Sequence, residues 1–157
     1  MFGFKGIHHI AISVPSLAEA KIFYIDKLGF TVVDSQHFSP SKMGDDLLQL
    51  ENADCHMMMI KAGNIILEVF EFHQPIAKTQ DSPRPLCDHG YTHLAFEVED
   101  IQIAYDHLKK SGVTWHHTPT KVSEGYMMTY GRDPFGNVIE IQQIQNGLPF
   151  SFDQLGV

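Results

Sequence analysis

Arginine is scarce in this chain. Only Arg84 and Arg132 occur in 157 residues, and 11 basic residues face 19 acidic ones for a formal net charge of −8. That balance excludes nucleic acid as a partner, because a phosphate backbone demands a basic surface. It also leaves little bidentate grip for large anionic ligands. Cysteine is equally sparse. Cys55 and Cys87 stand in unrelated contexts without CxxC spacing, which predicts free thiols and a reducing compartment, the cytoplasm. No apolar run approaches the roughly 18 residues of a membrane span. Phe2 and Phe4 precede the first strand without a sustained apolar stretch, so no signal peptide is expected. What the chain has in excess is histidine, ten in all.

Two of those histidines open a repeat. His93-Leu94-Ala95-Phe96-Glu97-Val98 matches His9-Ile10-Ala11-Ile12-Ser13-Val14, and each copy runs through a short link into a helix cap. Alternation puts Ile10, Ile12 and Val14 on one strand face and His9, Ala11 and Ser13 on the other. The second copy divides the same way.

The pattern predicts strand 7–14, a helix Leu17–Leu28 behind a Ser16–Glu19 capping box, and Gly29 as its stop. Strands Phe30–Val33, His56–Ile60 and Ile65–Phe72 follow. Residues 34–54 read as a loop with a possible strand at Leu47–Leu50. A linker, 73–90, carries Pro75, Pro83, Pro85 and Gly90 as breakers. The order then restarts with strand Thr92–Val98, a helix from the Asp100 cap to about Lys110, and strands Val113–His117, Tyr126–Tyr130 and Asn137–Ile144. Residues 147–157 read as a short tail docked through Phe150 and Phe152. The expected fold is α+β: two βαβββ modules, 7–72 and 91–145, in one domain with cupped mixed sheets.

The fourth strands correspond as well. Glu68 and Glu140 each stand alone in an apolar strand, behind Gly63-Asn64 and Gly136-Asn137 respectively. The first module is longer between its His and its Glu, which places an insertion in 34–54. A lone strand His is ordinarily a hydrogen-bonded core residue, and a lone edge-strand Glu is ordinarily solvated. Here both recur at matching positions, and an ionised carboxylate among apolar neighbours is costly unless paired or metal-bound. His9, Glu68, His93 and Glu140 therefore form a candidate four-ligand set. Imidazole with carboxylate suits Zn, Ni, Co, Mn or Fe. His8 reads as structural.

The motifs HxAxxV, then FY-x₃-LG at Phe23-Tyr24 and Leu28-Gly29, then HxAFxVxD, then the Asp133–Asn137 turn resemble the vicinal oxygen chelate superfamily. Glyoxalase I, methylmalonyl-CoA epimerase, extradiol dioxygenases and the fosfomycin- and bleomycin-resistance proteins belong to it. The resemblance spans 7–144. It implies one divalent metal held by His9, Glu68, His93 and Glu140. It further implies a small-molecule substrate and a homodimer. The chemistry it suggests is a glyoxalase- or epimerase-like lyase or isomerase reaction, with Glu140 or Glu68 taking a proton next to a chelated carbonyl. Two other classes stay open. His9, His93 and Glu140 alone would suit an Fe(II) extradiol-type dioxygenase, which places a Tyr where Tyr130 stands. A metal-free binding or resistance protein would keep the fold without needing the ligands. Phe70 and Phe72 could wall a pocket or pack between modules. Glu97 could be a second acid/base or a solvated strand end. Asp54 and Glu51 lie near where epimerase-type relatives place a second acid.

Overall fold

The computed structural model describes residues 3, 5–78 and 84–156. Phe2, Phe4 and the part of the linker that holds Pro83 lie outside them. The chain divides into two compact units, 1–79 and 80–157. Each holds one mixed sheet with helices, so the class is α+β.

The first unit runs β1 (His9–Ser13), α1 (Leu17–Ala20), β2 (Thr31–Phe38), α2 (Lys42–Leu48), β3 (Asp54–Ala62) and β4 (Ile65–Gln74). Its sheet has the order β1-β4-β3-β2, with β1 parallel to β4 and the other pairs antiparallel. Ser16 caps α1 by accepting the Glu19 N–H at 3.3 Å. Behind α1 the coil widens into a π-helix over Lys21–Lys27 instead of continuing as the expected α-helix. The apolar stripe survives: Ala20, Phe23 and Tyr24 remain buried, as do Met58, Ile60, Leu67 and Val69 of the sheet.

The expected strand at Leu47–Leu50 is not formed. Its first residues close α2, which Ser41 caps by accepting the Gly44 N–H at 3.1 Å. Asp45 then holds the exit, taking the N–H groups of Asn52 and Ala53 at 3.0 and 2.8 Å. This helix is the insertion expected within 34–54.

The second unit runs β5 (Leu94–Glu97), α3 (Ile101–Lys110), β6 (Thr114–Trp115), β7 (Thr120–Ser123), β8 (Tyr126–Arg132), β9 (Val138–Ile144) and α4 (Phe152–Leu155). The sheet order is β5-β9-β8-β6, and β7 also pairs with β8. The strand expected over Val113–His117 is thus shortened to β6, and β7 is a further strand that the pattern does not predict. Pro119 has no N–H for the ladder, so pairing stops and resumes at Thr120. The tail docks within its own unit: Phe150 meets the Tyr126 ring edge-on at 5.3 Å.

Both helices are tied to the strand that carries the candidate glutamate. Glu71 Oε2 accepts the Leu17 N–H at 2.7 Å, and Gln143 Oε1 accepts the Ile101 N–H at 3.0 Å. Each tie satisfies an orphan donor of a first helical turn. Each also fixes the faces: Glu71 and Gln143 point to the helix, so Glu68 and Glu140, three residues earlier, point away from it. The motif turn before β9 is organised by Asp133. Its carboxylate accepts the Phe135 and Asn137 N–H groups and the Asn137 amide, each at 2.9 Å.

Candidate functional site

In both units a parallel ladder brings the histidine to the glutamate. Ala11 lies opposite Glu68 and Ala95 opposite Glu140. The small alanine leaves room for the carboxylate to lean toward the imidazole two residues back. His9 Nε2 stands 3.4 Å from Glu68 Oε2, and His93 Nε2 stands 3.1 Å from Glu140 Oε2. The second pair is more enclosed, with Glu140 buried. His93 lies just ahead of β5 rather than within it, as β5 is shorter than the expected Thr92–Val98.

The other ring nitrogen of each histidine is also occupied. His9 Nδ1 meets His8 Nδ1 at 2.8 Å, and His93 Nδ1 meets the Thr92 hydroxyl at 2.8 Å. The same slot, the residue preceding the histidine, is used twice. If Nδ1–H donates there, Nε2 presents its lone pair to the carboxylate. Two acceptors facing each other at 3.1 and 3.4 Å are bridged by a shared cation, a proton or a metal ion. Donor atoms about 2.0–2.2 Å from a metal ion stand about 3 Å apart along a coordination edge. The donor chemistry of each pair therefore fits a divalent metal. Among the described residues, no group of three or more His, Cys, Asp or Glu side chains is gathered as a metal site. Each unit presents one His–Glu pair.

The two pairs have different surroundings. Glu68 lies opposite Met59 on β3 and beside Phe70, which stacks on Phe72 at 5.4 Å. Glu140 lies opposite Tyr130 on β8. Burial, then hydrogen bonding to Glu140, pushes the Tyr130 phenol up to about 12. The His93 ring meets Tyr130 edge-on at 5.2 Å. The Tyr126 hydroxyl lies 3.4 Å from Glu140 Oε1 and 3.1 Å from Gln142 Oε1. Burial and the Glu140 carboxylate also push Tyr126 up.

Other residues singled out in the sequence have separate duties. Asp54 pairs with His37 at 2.6 Å, and Glu51 is exposed. Both arginines are engaged with backbone carbonyls: Arg84 with Asp88 and Tyr91, Arg132 with Gly136 and Arg84. His8 lies against the site histidine, with ring centroids 5.1 Å apart. Tyr126 and Gln142 carry no signal in a search for what the two copies share. His8 and Thr92 could have been found from their matching positions.

The sequence pattern of the Glyoxalase/Bleomycin resistance protein/Dioxygenase superfamily matches residues 6–141. The chain belongs to that superfamily. YaeR of Escherichia coli (strain K12), an uncharacterized protein, is 31% identical over 145 residues, covering 91% of this chain and 99% of YaeR. The 2-epi-5-epi-valiolone epimerase of Actinomyces sp is 29% identical over 158 residues, covering 94% of this chain and 84% of that enzyme. The crystal structure of a glyoxalase family protein from Bacillus cereus superposes with a TM-score of 0.82 at 21% identity, covering 93% of this chain and 99% of the other. That last likeness is one of fold.

Proposed function

We propose that the protein is a divalent-metal-dependent isomerase, epimerase or lyase of glyoxalase-like type, acting on a small carbonyl compound. The observation that carries this reading is the pair of equivalent His–Glu contacts, His9–Glu68 and His93–Glu140, each with its Nδ1 already engaged. Retention of all four donors is more than a metal-free binding protein needs. The epimerase relative supports the reaction class and makes 2-epi-5-epi-valiolone the first compound to test. Both cysteines are free, which fits the cytoplasm. The exposed edge strand β2 fits a homodimer.

In this reading His9, Glu68, His93 and Glu140 hold the metal, one of Zn, Ni, Co, Mn or Fe. The bound ion supplies Lewis acidity toward a substrate carbonyl oxygen. The protein's own groups handle the proton. A carboxylate oxygen takes it from the carbon next to the carbonyl and returns it to the same or the neighbouring carbon. Glu140 is buried, with the Tyr126 hydroxyl 3.4 Å from its Oε1 and His93 at its Oε2. Glu68 has His9 Nε2 at 3.4 Å from its Oε2. Glu68 is the less enclosed carboxylate, 13% exposed against 5% for Glu140, so Glu68 is taken as the proton acceptor and Glu140 as the more firmly held ligand.

Untagged protein should contain metal, and solvent deuterium should enter the substrate at carbon. Glu68→Gln keeps an oxygen ligand but cannot accept a proton, so exchange should fall roughly 10²–10⁴-fold with metal retained. Glu140→Gln should lose metal first. Wild-type exchange by Glu68→Gln with metal bound sinks the assignment of the base to Glu68. Oxygen consumption with Fe(II) and no deuterium at carbon would transfer the protein to the dioxygenase class.

A further inference from the structure

Three histidines meet at one end of the first sheet. They come from three neighbouring strands: His37 from β2, His56 from β3 and His73 from β4. In the ladder His37 lies opposite His56, and His56 lies opposite Glu71, two residues before His73. Alternation therefore puts all three on the helix side with Glu71, whereas Glu68 is on the other face. All three residues are exposed. His56 Nδ1 faces His73 Nε2 at 2.8 Å, with the rings edge-on at 5.1 Å. The His37 ring stacks on His56 at 4.3 Å, and its Nε2 is held by Asp54 Oδ1 at 2.6 Å.

The fold does not require this cluster. His56 stands three residues before Met59, the ladder partner of Glu68, and His73 five after Glu68. At the same distances from Tyr130 and Glu140 the second unit has Met127 and Gln145. Within the chain the facing nitrogens can share a proton, one as donor and one as acceptor. Exposed rings can bond to water equally well, so that hydrogen bond adds little to stability. They can also share a metal ion. Two nitrogens about 2.0–2.1 Å from one ion stand about 2.8–3.0 Å apart at a right angle and about 3.3–3.4 Å apart at a tetrahedral one. The 2.8 Å found is the right-angle spacing. Right-angled nitrogen donors suit the tetragonal ions Cu(II) and Ni(II) ahead of Zn(II). Turning the exposed rings about χ2, a soft torsion, brings their lone pairs to one point.

We propose that His56 and His73 form a second metal site, a two-imidazole clamp for a tetragonal transition-metal ion with water in the remaining positions. His37, pinned by Asp54, backs the His56 ring. With two donors the clamp is smaller than a three-donor metal centre, of which the described residues hold none. It lies on the opposite sheet face from Glu68 and is independent of the proton-transfer site.

Equilibrium dialysis of untagged full-length protein against Ni(II) alone, read by elemental analysis, tests it. Wild type should retain one Ni(II) per chain more than His56→Gln, and His73→Gln should lose the same ion. Losing even an outer partner of a metal site costs about 10–100-fold in affinity, so losing either donor should cost at least about tenfold. The count is a difference, so any metal held by His9, Glu68, His93 and Glu140 cancels. His89→Gln, which changes an exposed histidine of the second unit, should keep the ion. Equal Ni(II) in wild type and His56→Gln overturns the proposal. An equal loss in His89→Gln shows diffuse adsorption to surface histidines and overturns it too. Zn(II) held more tightly than Ni(II) overturns the right-angled clamp. Melting gives the second readout. Ni(II) should raise the melting temperature of wild type more than that of His56→Gln or His73→Gln, because an ion bound only by folded protein stabilises it. Equal shifts in all three proteins overturn the site.

Discussion

Cys55 and Cys87 are both free, one fully buried on β3 and the other exposed. Burial pushes the Cys55 thiol up, and the Asp54 and Glu68 carboxylates push it the same way. A thiol reacts as its thiolate, so both access and ionisation protect Cys55. In native protein at mildly alkaline pH, iodoacetamide should modify Cys87 alone. Cys55 should follow only after denaturant, and equal native rates for the two would contradict its burial. The sign of the pH effect follows. A folded-state value above the unfolded one means the thiol's contribution is fully present below the unfolded value. That contribution fades as pH rises through the folded one. Stability should therefore decline on the alkaline side. At this same scale the sequence was most informative about the donors. His9, Glu68, His93 and Glu140 are legible because a repeat displays them twice. Gln142 and Tyr126 are not, because each belongs to one copy only.

Elements show where pattern reading stops. The helix after Ser16 was legible from its cap and its stripe, but not its winding, since Ala20, Phe23 and Tyr24 fall on one face in either coil. In α2, Gly44 weakens the helical signal and Leu47-Leu48 mimics a strand; the deciding features are Ser41 at one end and Asp45 at the other, which are hydrogen bonds rather than periodicity. On the helix side of the second sheet, the Trp115 indole N–H donates to the Tyr105 carbonyl at 3.2 Å, and the two rings stack at 5.2 Å. Gly131 lies beneath. A Cβ there would fall 2.5 Å from Trp115 Cε3 and 3.0 Å from the Thr114 carbonyl oxygen. Gly131→Ala should therefore cost about 1–3 kcal/mol, the range for overpacking, and change the Trp115 emission. An unaltered melting curve and spectrum would show that β6 moves aside freely.

For the whole molecule, the exposed surface is unevenly apolar. All eight residues of β2 are exposed, and β2 is the edge of its sheet. Val33 is 55% exposed on it, and Met43 and Leu47 on the following α2 are 71% and 76% exposed. An open edge of this length is ordinarily covered or blunted, and a second copy is the commonest cover for a chain of this size. Sedimentation at micromolar concentration should give a species of about twice 17.8 kDa. A single species at the monomer mass would refute pairing. Among the described residues no helix is long and apolar enough to cross a membrane.

The wide coil after α1 has a bearing on how such a repeat tolerates change in length. Between cap and stop the first unit spends four α-helical and seven π-helical residues, and the second spends ten in α3. One surplus residue is thus taken up as girth, not as reach. A longer α-helix would have advanced the next strand by about 1.5 Å and turned it by about 100°, throwing Phe30 and all that follows out of step with the sheet. Fattening the coil absorbs the misfit locally. The two copies can accordingly differ by a residue in their helices while Glu68 and Glu140 stay in matching register, so their helices and their donors are free to diverge on separate schedules.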